Sequence, residues 1–83
     1  MLHRSGHIMV SIRSLAHKAL ITALRDARRE AGLTQDQVAR RLRRPQSFVS
    51  AYESGDRRID VLEFVRIAKA TGVDPCDLLK RVI

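Results

Sequence analysis

The fold is decided by residues 34–55, which read TQDQVARRLRRPQSFVSAYESG. Thr34 is followed three residues later by Gln37, and this spacing forms a capping box, a pattern with which helices begin. Pro45 disfavours helical geometry at Arg44 but is tolerated at a helix start, so one helix ends and the next begins there. Gly55 is suited to closing a helix. The stretch therefore predicts two helices, over 34–42 and 45–54, joined by a tight turn.

The second of these helices has two different faces. Val49 and Tyr52 lie three residues apart and are expected to face the core. The opposite face carries small side chains with one amide at its edge, from Gln46, Ser47, Ser50, Ala51 and Ser54. Small side chains let a helix backbone approach base edges closely, so this face is suited to the major groove of DNA.

The rest of the chain predicts three further helices and no strands. Leu20, Leu24 and Ala27 form an apolar stripe in a helix over 14–31, which Gly32 ends. A helix over 60–71 begins with a second capping box, Asp60 with Glu63. A last helix over 74–81 is expected to bury Leu78 and Leu79. We therefore predict an all-α, compact five-helix domain over 14–83, preceded by a flexible basic arm over 1–13.

Positive charge is concentrated in the first half of the chain. Residues 1–44 carry ten Lys and Arg against three acids, whereas residues 45–83 carry six of each. The excess lies mostly in seven arginines: Arg25, Arg28, Arg29, Arg40, Arg41, Arg43 and Arg44. A solvated charged face is the simpler explanation, but such clustering favours a polyanionic partner.

Several other classes of protein and site are disfavoured. Cys76 is the single cysteine, which leaves no internal disulfide and no cysteine metal cluster. No apolar stretch approaches the ~20 residues that span a bilayer, and no signal-peptide pattern is present. All three histidines precede residue 34, and no glycine loop that binds phosphates appears. We therefore expect no catalytic site, metal, cofactor, membrane contact or small-molecule effector, and a cytoplasmic, nucleoid-associated location.

Residues 20–79 resemble the phage-repressor and Cro type of helix-turn-helix domain, also called the xenobiotic-response-element type. The matching segments are LRDARREAGLTQDQVARRL, RPQSFVSAYESGDRRIDVLEF and GVDPCDLL. The resemblance implies a lambda-repressor-like DNA-binding domain of bacterial or phage origin. Such proteins are mostly transcription regulators that act as dimers.

The resemblance also implies roles for individual positions. Gln35 matches a position that commonly contacts a phosphate, and Gln46 and Ser47 open the helix that reads base edges. Arg28 and Glu53 match positions that form a structural ion pair. Arg43 stands where the family usually has glycine; if this position is left-handed, arginine there carries a strain of roughly 1–2 kcal/mol.

Position and chemistry together give two sets of candidate DNA contacts. The side chains expected to contact bases are Gln46, Ser47, Ser50 and Ala51. Those expected to contact phosphates are Gln35, Arg43, Arg44, Arg57 and Arg58. The Gln46 amide both donates and accepts, which matches the N6 and N7 edge of adenine.

The leading hypothesis is a sequence-specific regulator of transcription, most simply a repressor, that binds double-stranded DNA as a homodimer. An antitoxin or another protein-interaction adaptor with the same fold remains an alternative. A controller of a restriction-modification operon is a third hypothesis. Gene neighbourhood distinguishes these two from the first.

Overall fold

A computed structural model describes residues 4–83 of the chain, with side chains described from Leu15 onward. Five helices follow one another: α1 (Arg4–Glu30), α2 (Gln35–Leu42), α3 (Gln46–Ser54), α4 (Val61–Ala70) and α5 (Pro75–Lys80). No strand occurs in this part of the chain. The predicted all-α, five-helix class is confirmed.

The described helix α1 begins at Arg4, ten residues before Ser14, where the sequence indicated an N-cap. No proline separates the two positions, and Ser14 is accommodated inside the helix. Residues 1–3 of the predicted arm lie outside the described residues. The division into an arm over 1–13 and a domain over 14–83 stays a prediction.

The helix starts follow the local chemistry of the sequence. Both capping boxes form: Thr34 accepts from the amide of Gln37, and Asp60 accepts from the amide of Glu63. Asp74 caps α5 by accepting from the amides of Cys76 and Asp77. Each cap satisfies amides at a helix start that have no partner within the helix.

Helices α1 to α4 end with one geometry, in which a left-handed residue turns the chain, whereas α5 ends at Arg81 with a right-handed φ of −71°. Gly32, Gly55 and Gly72 have positive φ at the ends of α1, α3 and α4, and Arg43 takes the same part after α2 with φ 56°. The amide of Arg43 donates to the carbonyl of Arg40, and that of Arg44 donates to the carbonyl of Ala39. This pair of bonds is the Schellman motif, so arginine occupies a position that glycine usually fills.

The core lies where α1, α2, α3, α4 and α5 meet, and it is mainly aliphatic. Its largest fully buried side chains are Tyr52, Leu24, Ile67, Leu78, Val38 and Val49. Leu79 is 44% exposed, so the prediction that it is buried is wrong. Its neighbour Leu78 fills the inward position of this short helix, and Leu79 therefore points outward. No helix among residues 4–83 is long and apolar enough to cross a membrane.

Candidate nucleic-acid interface

Helix α3 presents a face of small polar side chains to solvent. Gln46, Ser47, Ser50 and Ser54 are exposed, and Ala51 is partly exposed. The hydroxyl of Ser50 donates to the carbonyl of Ser47 (3.2 Å), and that of Ser54 donates to the carbonyl of Ala51 (3.0 Å). These hydroxyls therefore lie close to the helix, and the face stays shallow.

The opposite face of α3 fixes the helix to the core. Val49 and Tyr52 are almost completely buried, and burial raises the pKa of the Tyr52 hydroxyl. Phe48 is 8% exposed and contacts Tyr52 edge to face, with ring centroids 5.4 Å apart. Since Phe48 is turned inward, the accessible surface of α3 consists of its small side chains and Gln46.

Arg28 of α1 and Glu53 of α3 form an ion pair that is largely shielded from water. Arg28 Nε donates to one carboxylate oxygen at 2.7 Å, and Nη2 donates to the other at 2.9 Å. The side chains are 11% and 4% exposed. A third bond runs from Arg28 Nη1 to the carbonyl of Leu33 (2.9 Å). Hydrogen bonding to Glu53 raises the pKa of Arg28.

The carboxylate of Glu53 is also connected to the starts of α2 and α3 by hydrogen bonds. Gln35 Nε2 donates to Glu53 Oε1 at 3.0 Å, and Gln46 Nε2 lies 3.4 Å from Gln35 Oε1. A chain of hydrogen bonds therefore leads from α1 through Glu53 and Gln35 to Gln46. This chain orients two candidate DNA contacts, one at the start of α2 and one at the start of α3.

Arg44 and Arg57 meet at one aromatic ring and one carboxylate. Their guanidinium carbons lie 4.5 and 4.6 Å from the centroid of the Phe48 ring, within the range of cation–π attraction. Arg57 donates to both oxygens of Glu63 at 3.0 Å, and Arg44 Nη2 lies 3.5 Å from Glu63 Oε2. These bonds raise the pKa of Arg57 and lower that of Glu63.

The cluster of Arg44, Arg57 and Glu63 makes this surface less positive than the two arginines alone indicated in the sequence. Arg44 and Arg57 share one negative charge, yet their side chains remain 42% and 40% exposed. Both guanidinium groups therefore keep N–H groups that face water. Glu63 also accepts from the amide of Asp60. The capping-box pattern indicated that local contact but gave no sign of the contacts with the arginines.

The remaining arginines near the turn point outward. Arg43 and Arg58 are exposed, one in the turn before α3 and the other in the loop after it. Arg40 pairs with Asp36 at 3.0 Å on the surface of α2, and Arg41 donates to the carbonyl of Ala70 at 2.8 Å. Within the described part of the chain, no three His, Cys, Asp or Glu residues are placed to hold a metal ion.

Matches to known proteins agree with this geometry, and two of them are described here. Residues 24–78 match a family model described as helix-turn-helix. A solved structure described as an XRE-family like protein from Pseudomonas syringae pv. tomato str. DC3000 is 43% identical in sequence. The match covers 90% of this chain and 92% of that one, with a TM-score of 0.86. No curated protein matches the chain.

Proposed function

Because this chain belongs to the XRE-type helix-turn-helix family of DNA-binding domains, which are not enzymes, we propose that it is a sequence-specific regulator of transcription. Its simplest mode of action is repression, by occupying double-stranded DNA with α3 in the major groove. The observation that carries this proposal is the shallow, exposed face of α3 beside the oriented amide of Gln46. We propose that it acts in the cytoplasm, at the nucleoid.

Base contacts are assigned to the exposed face of α3. Gln46 sits at the start of the helix, where its amide reaches the N6 and N7 edge of adenine, a contact worth about 1–3 kcal/mol of discrimination. Ser47 and Ser50 contribute short polar side chains, and the methyl group of Ala51 is suited to contact a thymine methyl. The hydrogen bond with Gln35 favours this assignment because it reduces the rotamer freedom that Gln46 loses on binding.

Phosphate contacts are assigned to the two ends of α3 and to the start of α2. Arg43 and Arg44 precede α3, and Arg57 and Arg58 follow it. Gln35 lies in the first turn of α2, where helix amides also favour an anion. Such contacts set the position of the domain on the duplex without reading its sequence.

The proposed active species is a symmetric homodimer. Two copies place their α3 helices in successive major grooves when the half-sites are about 34–36 Å apart. The operator is then an inverted repeat. In this proposal residues 14–83 form the binding domain, and residues 1–13 form a flexible basic arm outside it.

The proposal is tested by selecting bound duplexes from a random pool and measuring the affinity for the selected sequence. If each subunit neutralises about four phosphates, the slope of log affinity against log salt concentration is about −7 for the dimer. Gln46→Ala should lose preference at one or two base pairs, whereas Arg44→Ala should weaken binding to all sequences alike. A pool that yields no preferred sequence, or an affinity insensitive to salt, would refute the proposal.

A further inference from the structure

Arg57, in the loop after α3, is held at both its backbone and its guanidinium group. Its amide donates to the carbonyl of Ala51, in the last turn of α3, at 3.2 Å. Its guanidinium group lies over the ring of Phe48 and donates through Nη1 to the carbonyl of Arg58 at 2.8 Å. Nη1 and Nη2 also donate to the two carboxylate oxygens of Glu63, each at 3.0 Å. The side chain is therefore fixed in one orientation before any ligand binds.

These bonds leave one edge of the Arg57 guanidinium group unused. The group has five N–H groups, and three of them make the bonds to Arg58 and Glu63. The N–H of Nε and the second N–H of Nη2 have no partner among the described residues, and Nε is not one of the nitrogens there that are shielded from water. Arg28 binds Glu53 through the same two nitrogens. The Nε–Nη2 edge of Arg57 is therefore suited to bind two oxygens of one phosphate.

The other arginines next to α3 are not fixed in this way. Arg44 has a single contact with Glu63, which at 3.5 Å is at the limit of a hydrogen bond. The side chains of Arg43 and Arg58 are exposed, and neither donates to another residue within the described part of the chain. Of these four arginines, Arg57 is therefore the one whose binding edge is already oriented in the free protein.

Glu63 is itself held by the start of α4. Its side chain is 12% exposed, and Oε1 accepts from the amide of Asp60 at 3.0 Å as part of the capping box. The carboxylate therefore stays in place independently of Arg57. An arginine without such a partner keeps its rotamer freedom until it binds a phosphate, and the loss of that freedom then lowers the affinity.

We propose that Glu63 is a positioning residue for DNA binding, which holds Arg57 with its Nε–Nη2 edge ready for one phosphate of the backbone. Glu63 does not contact the DNA, and its negative charge by itself weakens the attraction between this surface and the duplex. Because positioning and repulsion oppose each other, the affinity of a Glu63 variant alone measures neither effect. The inference rests on the proposed function, since it requires Arg57 to contact the DNA backbone.

The test is a double-variant cycle of Arg57→Ala and Glu63→Gln, with affinities measured on the selected duplex. Glutamine keeps an oxygen for the amide of Asp60 but places an amide nitrogen against Nη2 of Arg57, donor against donor. In the wild-type background, Arg57→Ala should lower the affinity of the dimer by about a hundredfold, equally for preferred and unrelated sequences. In the Glu63→Gln background the loss should be only about tenfold, because an arginine that is not held loses more rotamer freedom on binding.

Two controls separate positioning from charge. Arg58→Ala removes the neighbouring arginine, whose side chain does not contact Glu63, and should lower the affinity by the same factor in both backgrounds. Glu63→Asp keeps the negative charge on a shorter side chain that cannot reach both Nη1 and Nη2 of Arg57. In that background the loss caused by Arg57→Ala should again be about tenfold. Thermal unfolding of each variant establishes that the compared proteins are folded.

Three results would overturn the inference. The first is an Arg57→Ala variant that binds as tightly as wild type, which would show that Arg57 does not contact DNA. The second is a loss on Arg57→Ala that is equal or larger in the Glu63→Gln background, since Glu63 would then be neutral or compete with the phosphate. The third is a wild-type loss in the Glu63→Asp background, which would assign the effect to charge alone. In each case the proposed function survives if the wild-type protein still selects a preferred sequence, and fails if it selects none.

Discussion

Replacing Arg28 or Glu53 by alanine should lower the thermal stability of the domain strongly. Both side chains are nearly buried, and Arg28 makes three hydrogen bonds, two of them to Glu53. Removing one partner leaves the other charge in a site with little water, which costs about 3–5 kcal/mol. A domain of this size has a total stability of roughly 4–12 kcal/mol. Because 1 kcal/mol corresponds to about 4–8 °C here, the midpoint should fall by at least about 12 °C.

The assay is thermal unfolding followed by circular dichroism for the wild-type protein, Arg28→Ala, Glu53→Ala and the double variant. The double variant should be less destabilised than the two single effects added together, since it leaves no unpaired charge. Arg40→Ala is the matched control, because Arg40 pairs with Asp36 at 3.0 Å but is 80% exposed. Its cost should be under ~1 kcal/mol. Single variants no less stable than Arg40→Ala, or strictly additive effects, would show that this pair does not hold α1 to α3.

Three smaller perturbations test other features. Arg43→Gly should raise stability by roughly 0.5–1 kcal/mol, because glycine removes left-handed strain but gains entropy in the unfolded chain; a lower midpoint would contradict this. Hydrogen bonding from Arg57 lowers the pKa of Glu63, so its stabilising effect is complete above the ordinary value of 4.5 and is lost as the pH falls through the lowered value. Melting curves from pH 7 to pH 2 should therefore fall more steeply below 4.5 for wild type than for Glu63→Gln, and parallel curves would count against the cluster. Asp74→Ala removes the cap of α5 and should lower the free energy of unfolding by about 1 kcal/mol, measured by urea unfolding. An unchanged free energy of unfolding would show that this helix start is frayed in the native protein.

The helices were largely predictable because most of their starts and ends depend on interactions between residues close in sequence. The capping boxes at Thr34 and Asp60 each involve a residue three positions away, and the glycines at 32, 55 and 72 close helices by their own backbone freedom. The resemblance also indicated the position of Arg43, where a glycine is normally found, and left open whether it is left-handed; the structure gives it a φ of 56°. The start of α1 was missed because Ser14 resembles a cap, although a serine is also tolerated within a helix.

The arrangement of the candidate interface was less predictable, since it depends on contacts between distant residues. Nothing in the sequence indicates that Arg44 and Arg57 share the carboxylate of Glu63 or lie against the ring of Phe48. Patterns of spacing identify which face of a helix is exposed, but not which side chains of other helices reach it.

The orientation of the Ser50 hydroxyl has a consequence for the operator itself. Ser50 gives its proton to the carbonyl of Ser47 in its own helix, so in this arrangement only oxygen lone pairs are left to meet a base. Adenine and cytosine present amino groups in the major groove, whereas guanine O6 and N7 and thymine O4 are themselves acceptors. Beyond the base pairs contacted by Gln46, each half-site should therefore favour adenine or cytosine on the strand that lies against this hydroxyl. Guanine there would require Ser50 to break its bond to the helix.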